Sequence, residues 1–350
     1  GLITKGIDPE RVNIEPTRIG ITMGAGMVSC DLPELGPAVA ASTTDGRFDI
    51  RKWGKDGLAH ITPLWLLKYL PNMLACHIGI IHDIQGPSNT ITCAEASAHL
   101  AIGEAAQIIA RGGADIALAG AAEAKINLMV LVRQNLLYRT VRNRNDAPET
   151  ACRPFDADAA GTVCGEGAGI LVLETLDHAR ARNARILAEV EGIGQSHSLN
   201  PAYERMEPDG TGIRIAVEKA MEDAGIRPDD LDLVIPHGTA IPQDDLAEAR
   251  GLQAALGPAA RRIPVWPTKS MVSTTGAAAG AIDVIAAVRA MNAGVIPPAR
   301  NFTKPAAGCE LSILTERREG RIRRALCCSH THGGQTAAVV LKAFEGDAAQ

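Results

Sequence analysis

Aromatic residues are scarce in this sequence: three Trp, three Tyr and four Phe make up 3% of the chain. So few cannot build the interleaved aromatic and arginine surface on which bases stack, and the core must be filled by Ala, Val, Ile and Leu. Positive charge is not in excess. Thirty-five Lys and Arg against 40 Asp and Glu give a net charge of -5, which disfavours a nucleic-acid partner. The local basic patches Arg317-Arg318 and Arg321 to Arg324 remain able to meet an acidic protein surface. The eight cysteines include no CxxC pair and are too sparse for a disulfide scaffold, so a reducing cytoplasm is the simplest compartment. No run approaches the roughly 18 apolar residues of a membrane span, and the amino end has no basic region followed by an apolar core. No glycine-rich turn carries the Gly-Lys-Ser/Thr of a phosphate loop, which argues against a nucleotide cradle.

What is present is the balance of a soluble globular chain: 350 residues, 46% hydrophobic and 21% charged, long enough for one large domain or two ordinary ones. Strand-like runs (18–23, 90–93, 114–120, 170–173) alternate with helical ones (64–74 and a small-residue helix over 97–110, apolar all round). After residue 185 the alternation recurs, with strands over 186–193 and 231–235, a short one at Val265, and helices over 213–224, 246–256 and 277–290. The end is strand-like at 311–314, 324–329 and 337–341. This predicts an α/β fold with helices on both faces of the sheets and a loose twofold recurrence, dividing the chain into halves 1–175 and 176–350. Cys327 and Cys328, adjacent in a strand, should face opposite sides.

Chemistry concentrates at a few element ends. Glycines cluster at 161–169, at Gly276 with Gly280, and at Gly333-Gly334. Their ordinary role is close packing and left-handed turns. His237 follows a strand and opens a Gly-Thr turn, where open α/β sheets present functional groups; a structural histidine fits there too. Lys269 sits in a stretch with almost no other charge. Glu95 lies where a buried strand gives way to a buried apolar helix, so its carboxylate needs hydrogen bonds or a cation, unless it only caps the helix.

Gly86-Pro87-Ser88 with Ala96-Ser97 and the long small-residue helix, Arg153-Pro154-Phe155-Asp156, Gly165-Glu166-Gly167-Ala168-Gly169, His237-Gly238-Thr239 through Asp245 and Glu248, Thr268-Lys269-Ser270-Met271, and Gly333-Gly334 stand in order along the chain. Together they resemble the β-ketoacyl-acyl-carrier-protein synthases of the thiolase-like condensing enzymes. The resemblance implies a layered α-β-α-β-α fold with two pseudo-repeated halves. It matches Gly1 to a point well inside the usual domain, so the amino-terminal half is expected to be incomplete, as a truncation or with the segment supplied by another polypeptide.

The departures carry the functional reading. In elongating members a cysteine at the helix amino end takes the acyl chain and two histidines activate the extender unit. Here Glu95 holds the nucleophile position, Cys93 falls two residues early and reads as a buried core cysteine, and Thr274 stands where the second histidine belongs. Of the four reactive groups His237 and Lys269 remain. Glutamate forms no thioester, so the usual condensation should be absent. Where the family carries gating Phe residues this chain has His330 and His332, expected on one face of an extended segment, with His332 paired to Glu95; a metal site of Glu95, His237 and His332 is the alternative.

The resemblance is thus to a non-elongating, chain-length-factor-like subunit of type II polyketide, polyene or fatty acid systems, with Glu95, His237, Lys269, Thr274 and His332 at the former reactive centre. His330, His332, Gly333 and Gly334 would line the acyl site, with no cofactor and no metal. Its implied partners are a cysteine-bearing ketosynthase homologue, in a heterodimer formed near residues 88 to 110, and an acyl carrier protein reached through that homologue. The apolar helix over 100–110 would be partly supported by the partner. Two other readings are a malonyl decarboxylase that makes a starter unit, and acyl transfer or hydrolysis with His237 or His332 as base.

Overall fold

The computed structural model describes residues 1–198 and 206–346. Its framework is two four-stranded sheets. The first contains β1 (Ile19–Ala25), β2 (Ser88–Ile91), β3 (Ile116–Ala124) and β4 (Glu166–Glu174) in the order β2-β1-β3-β4. In it β1 runs parallel to β2 and β3, and β4 is antiparallel to β3. The second contains β5 (Glu189–His197), β6 (Leu233–Ile235), β7 (Arg324–His330) and β8 (Gln335–Lys342) in the order β5-β8-β7-β6. Here β7 is parallel to β6, and β8 is antiparallel to β7 and β5.

The helices among the described residues include α1 (Met73–His82), α2 (Ser97–Ala110), α3 (Leu128–Leu136), α4 (Thr211–Asp223), α5 (Pro242–Leu256) and α6 (Ala279–Ala293). Helices α2 and α6 pack between the sheets, α4 lies on the outer face of the second sheet beside α5, and α1 lies against β1. The expected α-β-α-β-α order is the one observed. Small residues allow the close approach. A Cβ at Gly24 of β1 would lie 2.7 Å from the Ser97 backbone, and one at Gly194 of β5 only 1.8 Å from the Ala216 carbonyl oxygen.

One core fills the space between the sheets with Ile102, Ala105, Leu233, Ile235, Val284, Ala287, Cys327 and Val339. The other lies under α4 and α5 and contains Ile213, Val217, Leu252, Leu326, Cys328 and Val340. Cys327 and Cys328 therefore do face opposite sides of β7.

Several local expectations need correction. The helix expected over 64–74 is split into a 3-10 turn, Trp65–Tyr69, and α1, because Pro71 forces Leu70 out of the helical region. The strand expected to be buried at 90–93 is instead β2, an edge strand with β1 as its one neighbour, and it is exposed to half-buried. Strand β4 begins at Glu166, so Gly167 and Gly169 are strand residues against α6 rather than turn residues, and Gly280 lies inside α6 against the His99 ring. Val265 and Ile313 form only isolated bridges.

The apolar stretch over 100–110 needs no partner: Ala101, Ile102, Ala105 and Ile108 are buried within the chain itself, because a sheet covers α2 on either side. Large exposed apolar side chains lie elsewhere, among them Leu66, Ile80 of α1, and Leu128, Val132 and Leu136 on α3. Ile102→Ala should accordingly cost about 3 kcal/mol in urea unfolding of the isolated chain. Leu136→Ala, at a position 70% exposed, should change stability by less than about 0.5 kcal/mol.

Candidate functional site

The ends of β6 and β7 lie side by side because the two strands are parallel neighbours. His237 follows β6 by two residues and His330 ends β7, and their rings meet edge to face with centroids 4.7 Å apart. The turn at His237 is held by carboxylates from α5. Glu248 accepts hydrogen bonds from the His237 and Gly238 backbone N–H groups at 2.6 and 2.7 Å. Asp245 accepts from the Thr239 backbone and hydroxyl, from Ala240 N–H, and from Phe155 N–H at 2.7 Å. Helix α5 thus spends its buried first-turn acids on backbone donors of the turn and on Arg139, whose Nη2 lies 2.7 Å from Asp244 Oδ2.

Lys269 lies behind this layer, 1% exposed, with Nζ 2.6 Å from Asp283 Oδ2 on α6. Thr268 donates its hydroxyl to the same carboxylate. His99 of α2 is fully buried and shares a 2.7 Å hydrogen bond with Ser329.

Glu95 sits in a 3-10 turn, Ala94–Ala96, immediately before α2. The turn is fixed by Ala94, which adopts a left-handed φ of 43°, and by Cys93 N–H donating to Ser97 Oγ at 2.8 Å. A non-glycine residue in that region stores strain and marks an over-determined position. The Glu95 carboxylate does not cap α2. It meets Lys125, just past the end of β3, at 2.5 Å, with the two side chains 12% and 5% exposed. Glu123, the neighbouring acid on β3, accepts from the Ala277 backbone N–H at 2.6 Å.

The electrostatics follow from burial and partners. Burial pushes the Glu95 carboxyl upward, but the Lys125 charge and hydrogen bond, with Arg139 behind them, outweigh it and hold the group at about 2. Burial, then the charge of Lys269, drives His237 well below the usual histidine value, so its imidazole is neutral at pH 7. In His330 burial is overcome by Glu248, whose carboxylate is 3.6 Å away, and the value rises. Burial and then Arg139 lower His332. Cys93 is half-buried, and burial raises its thiol, the opposite of what activates a nucleophile.

Glu95, His237 and Thr274 come together around one small cavity, also lined by Lys125, Gln134, Arg139 and Cys164, with a volume of about 10 Å³. That is room for roughly one water molecule. Thr274 is buried and bridges to Cys164. The expected pairing of Glu95 with His332 does not form. Strand β7 ends at His330, so His332 falls in the following turn, half-buried and outside the cavity, and the two histidines do not share a strand face. Gly333 and Gly334 continue that turn, where the Gly334 carbonyl accepts from Ser198 N–H at 2.9 Å. Among the described residues no group of three His, Cys, Asp or Glu side chains is arranged to hold a metal ion. Glu95 is committed to Lys125 instead.

Sequence reasoning missed Lys125, Arg139 and Asp283. The one available signal was the pair Glu123 and Lys125, two charges closing an otherwise apolar strand.

This combination defines the class. Two layered sheets with buried helices between them, a strained turn opening α2, and a His-Gly-Thr turn in front of a buried lysine are arranged in the fold of the thiolase-like condensing-enzyme family. Residues 2–179 match the Beta-ketoacyl synthase, N-terminal domain, and residues 187–303 the Beta-ketoacyl synthase, C-terminal domain. The chain belongs to the β-ketoacyl synthase family. It is 34% identical over 330 residues to the 3-oxoacyl-[acyl-carrier-protein] synthase 2 of Vibrio cholerae serotype O1, an alignment covering 93% of this chain and 76% of the relative. It is 35% identical over 293 residues to the enzyme of the same name from Rhizobium meliloti, covering 83% and 69%. Similar solved structures include a β-ketoacyl synthase from Burkholderia phymatum (TM-score 0.81, 27% identity, 94% of this chain and 76% of that one). The ishigamide ketosynthase/chain length factor is another (TM-score 0.78, 26% identity, 93% and 75%).

The ion pair makes stability depend on acid pH. Glu95 is held at about 2 in the folded chain against an ordinary value of 4.5, so its contribution is complete above that ordinary value and is lost as pH falls through the folded one. Urea unfolding between pH 5 and pH 3 should show a falling stability whose slope is shallower in Glu95→Gln than in the wild type.

Proposed function

We propose that this chain is a non-elongating, chain-length-factor-like subunit that pairs in the cytoplasm with a Cys-His-His β-ketoacyl synthase and shapes the tunnel for the growing acyl chain. The observation that carries this reading is the residue at the nucleophile position: Glu95, bound to Lys125 at 2.5 Å beside a cavity of about 10 Å³. A carboxylate locked in an ion pair forms no thioester, and Thr274 offers no imidazole for the extender unit. His237, Lys269, His330, His332, Gly333 and Gly334 then act as remnants that keep the shape of a reactive centre. The halves 1–175 and 176–350 would be the two pseudo-repeats of the fold.

The relatives are named as synthases, and Glu95 and Thr274 are what separates this chain from that activity. The likeness to a ketosynthase/chain length factor structure supports a paired subunit. A partner would cover the free edge of β2 and exposed apolar side chains such as Ile80 and those of α3, Leu128 and Leu136, since an open strand edge invites pairing. An acyl carrier protein would deliver its cargo through that partner. A second reading, decarboxylation of a malonyl group, gains one point from the ion pair: Lys125 neutralises the charge by which Glu95 would repel malonate. The water-sized cavity counts against it.

The test is co-expression with a cysteine-bearing homologue, followed by incubation with acyl-carrier protein and intact-mass measurement of both chains. An acyl adduct is expected on the partner and none on this chain, within a complex that persists on dilution. An adduct on this chain that Cys93→Ala removes would overturn the assignment, as would a stable monomer that never associates. Release of carbon dioxide from malonyl-carrier protein by this chain alone would favour decarboxylation.

A further inference from the structure

Lys125 belongs to none of the reactive groups of the family, yet it decides what the residue at position 95 can do. Its ammonium is almost fully enclosed, and the groups around it and Glu95 are Glu123, Arg139, Cys164 and His332. Arg139 is tied to Asp244 and Glu123 accepts from the Ala277 backbone, so the two nearest charged groups have partners of their own. The backbone under Glu95 is fixed too, by the left-handed Ala94 and by the hydrogen bond from Cys93 N–H to Ser97. The carboxylate therefore cannot swing aside without leaving Lys125.

The space beside the pair holds about 10 Å³, whereas pockets that take small molecules enclose roughly 300 Å³ or more. Glu95 and Lys125 form part of the wall of this space, and an acyl chain entering past them would separate the two charges. Each would then be buried against hydrocarbon without its counter-ion, which is strongly unfavourable.

We propose that Lys125 is a specificity-determining residue: by clamping the Glu95 carboxylate across the turn that opens α2, it closes this chain's own pocket to acyl thioesters. In an assembled complex the acyl group then has one place to be loaded, the partner's cysteine, and this chain offers a wall rather than a competing site. The inference rests on reading Glu95 as the occupant of the nucleophile position.

The experiment uses decanoyl-pantetheine as a soluble acyl thioester and calorimetric titration of the full chain. The wild type and Lys125→Arg, which keeps the cation, should show no saturable binding up to about 1 mM, a concentration that reports any affinity of practical strength. The double variant Glu95→Ala/Lys125→Ala removes both charges and opens the space, and should bind at least tenfold more tightly than the wild type. Should that variant fail to fold, as judged by its thermal transition, Glu95→Ser/Lys125→Ser carries the same expectation. Wild-type binding as tight as that of a folded double variant would overturn the proposal, and so would a folded double variant that binds no better than the wild type. Co-purification with the cysteine-bearing homologue is read separately in the same preparations. Loss of that association in the wild type defeats the heterodimer reading while leaving the exclusion of acyl thioesters standing.

Discussion

A carboxylate and an ammonium enclosed together tolerate each other only as a pair; removing either leaves a buried charge that costs several kcal/mol. Glu95 and Lys125 impose that constraint on this chain. The 3-10 turn before α2 has to present position 95 to the end of β3, β3 has to stop where Lys125 can reach it, and the neighbouring cation Arg139 needs its own partner, Asp244. A synthase that loads an acyl chain needs the same place empty and nucleophilic. On the proposed reading, this ion pair, together with Thr274, separates the inherited architecture from the chemistry of the named synthases.

The layer behind the pair is nonetheless built as a reactive centre would be. Glu248 and Asp245 hold the His237 turn through backbone N–H groups, and Asp283 holds Lys269. His237 and His330, edge to face, are pushed in opposite directions, one by burial and Lys269, the other by Glu248. The backbone of the turn is thereby held, while His237 Nδ1 and His330 Nε2 are buried without a hydrogen-bond partner; a fixed turn suits a subunit whose proposed contribution is shape. The enclosed packing of α2 and α6 between two sheets adds rigidity, while α3 leaves the apolar side chains of Leu128, Val132 and Leu136 at the surface.

The layered fold was legible because small residues on α2 and α6 and apolar strands on both sides announce helices sandwiched between sheets, and the family's motifs stand in order. The position of Glu95 was legible for the same reason: an acid between a strand and an apolar helix must find a partner. Which partner was not. Lys125 is 30 residues away, and nothing in sequence spacing says that the end of β3 meets the start of α2. His332 was misplaced because the alternation of a strand was extended one turn too far, past the end of β7. The helix over 97–110 reads alike whether a sheet or a second subunit covers it, and only the observed packing separates the two. Pro71 was a readable signal for ending a helix.

The central claim is that Glu95 and Lys125 act as a unit, and a double-mutant cycle measures this most directly. Unfolding free energies of the wild type, Glu95→Gln, Lys125→Met and the double variant at pH 7 give the coupling between the two side chains. The account requires a coupling of about 2 kcal/mol or more, toward the upper end of the range for residues in contact, with the double variant losing less stability than the two single losses added together. A coupling within about 0.5 kcal/mol of zero, the range of independent sites, would contradict it.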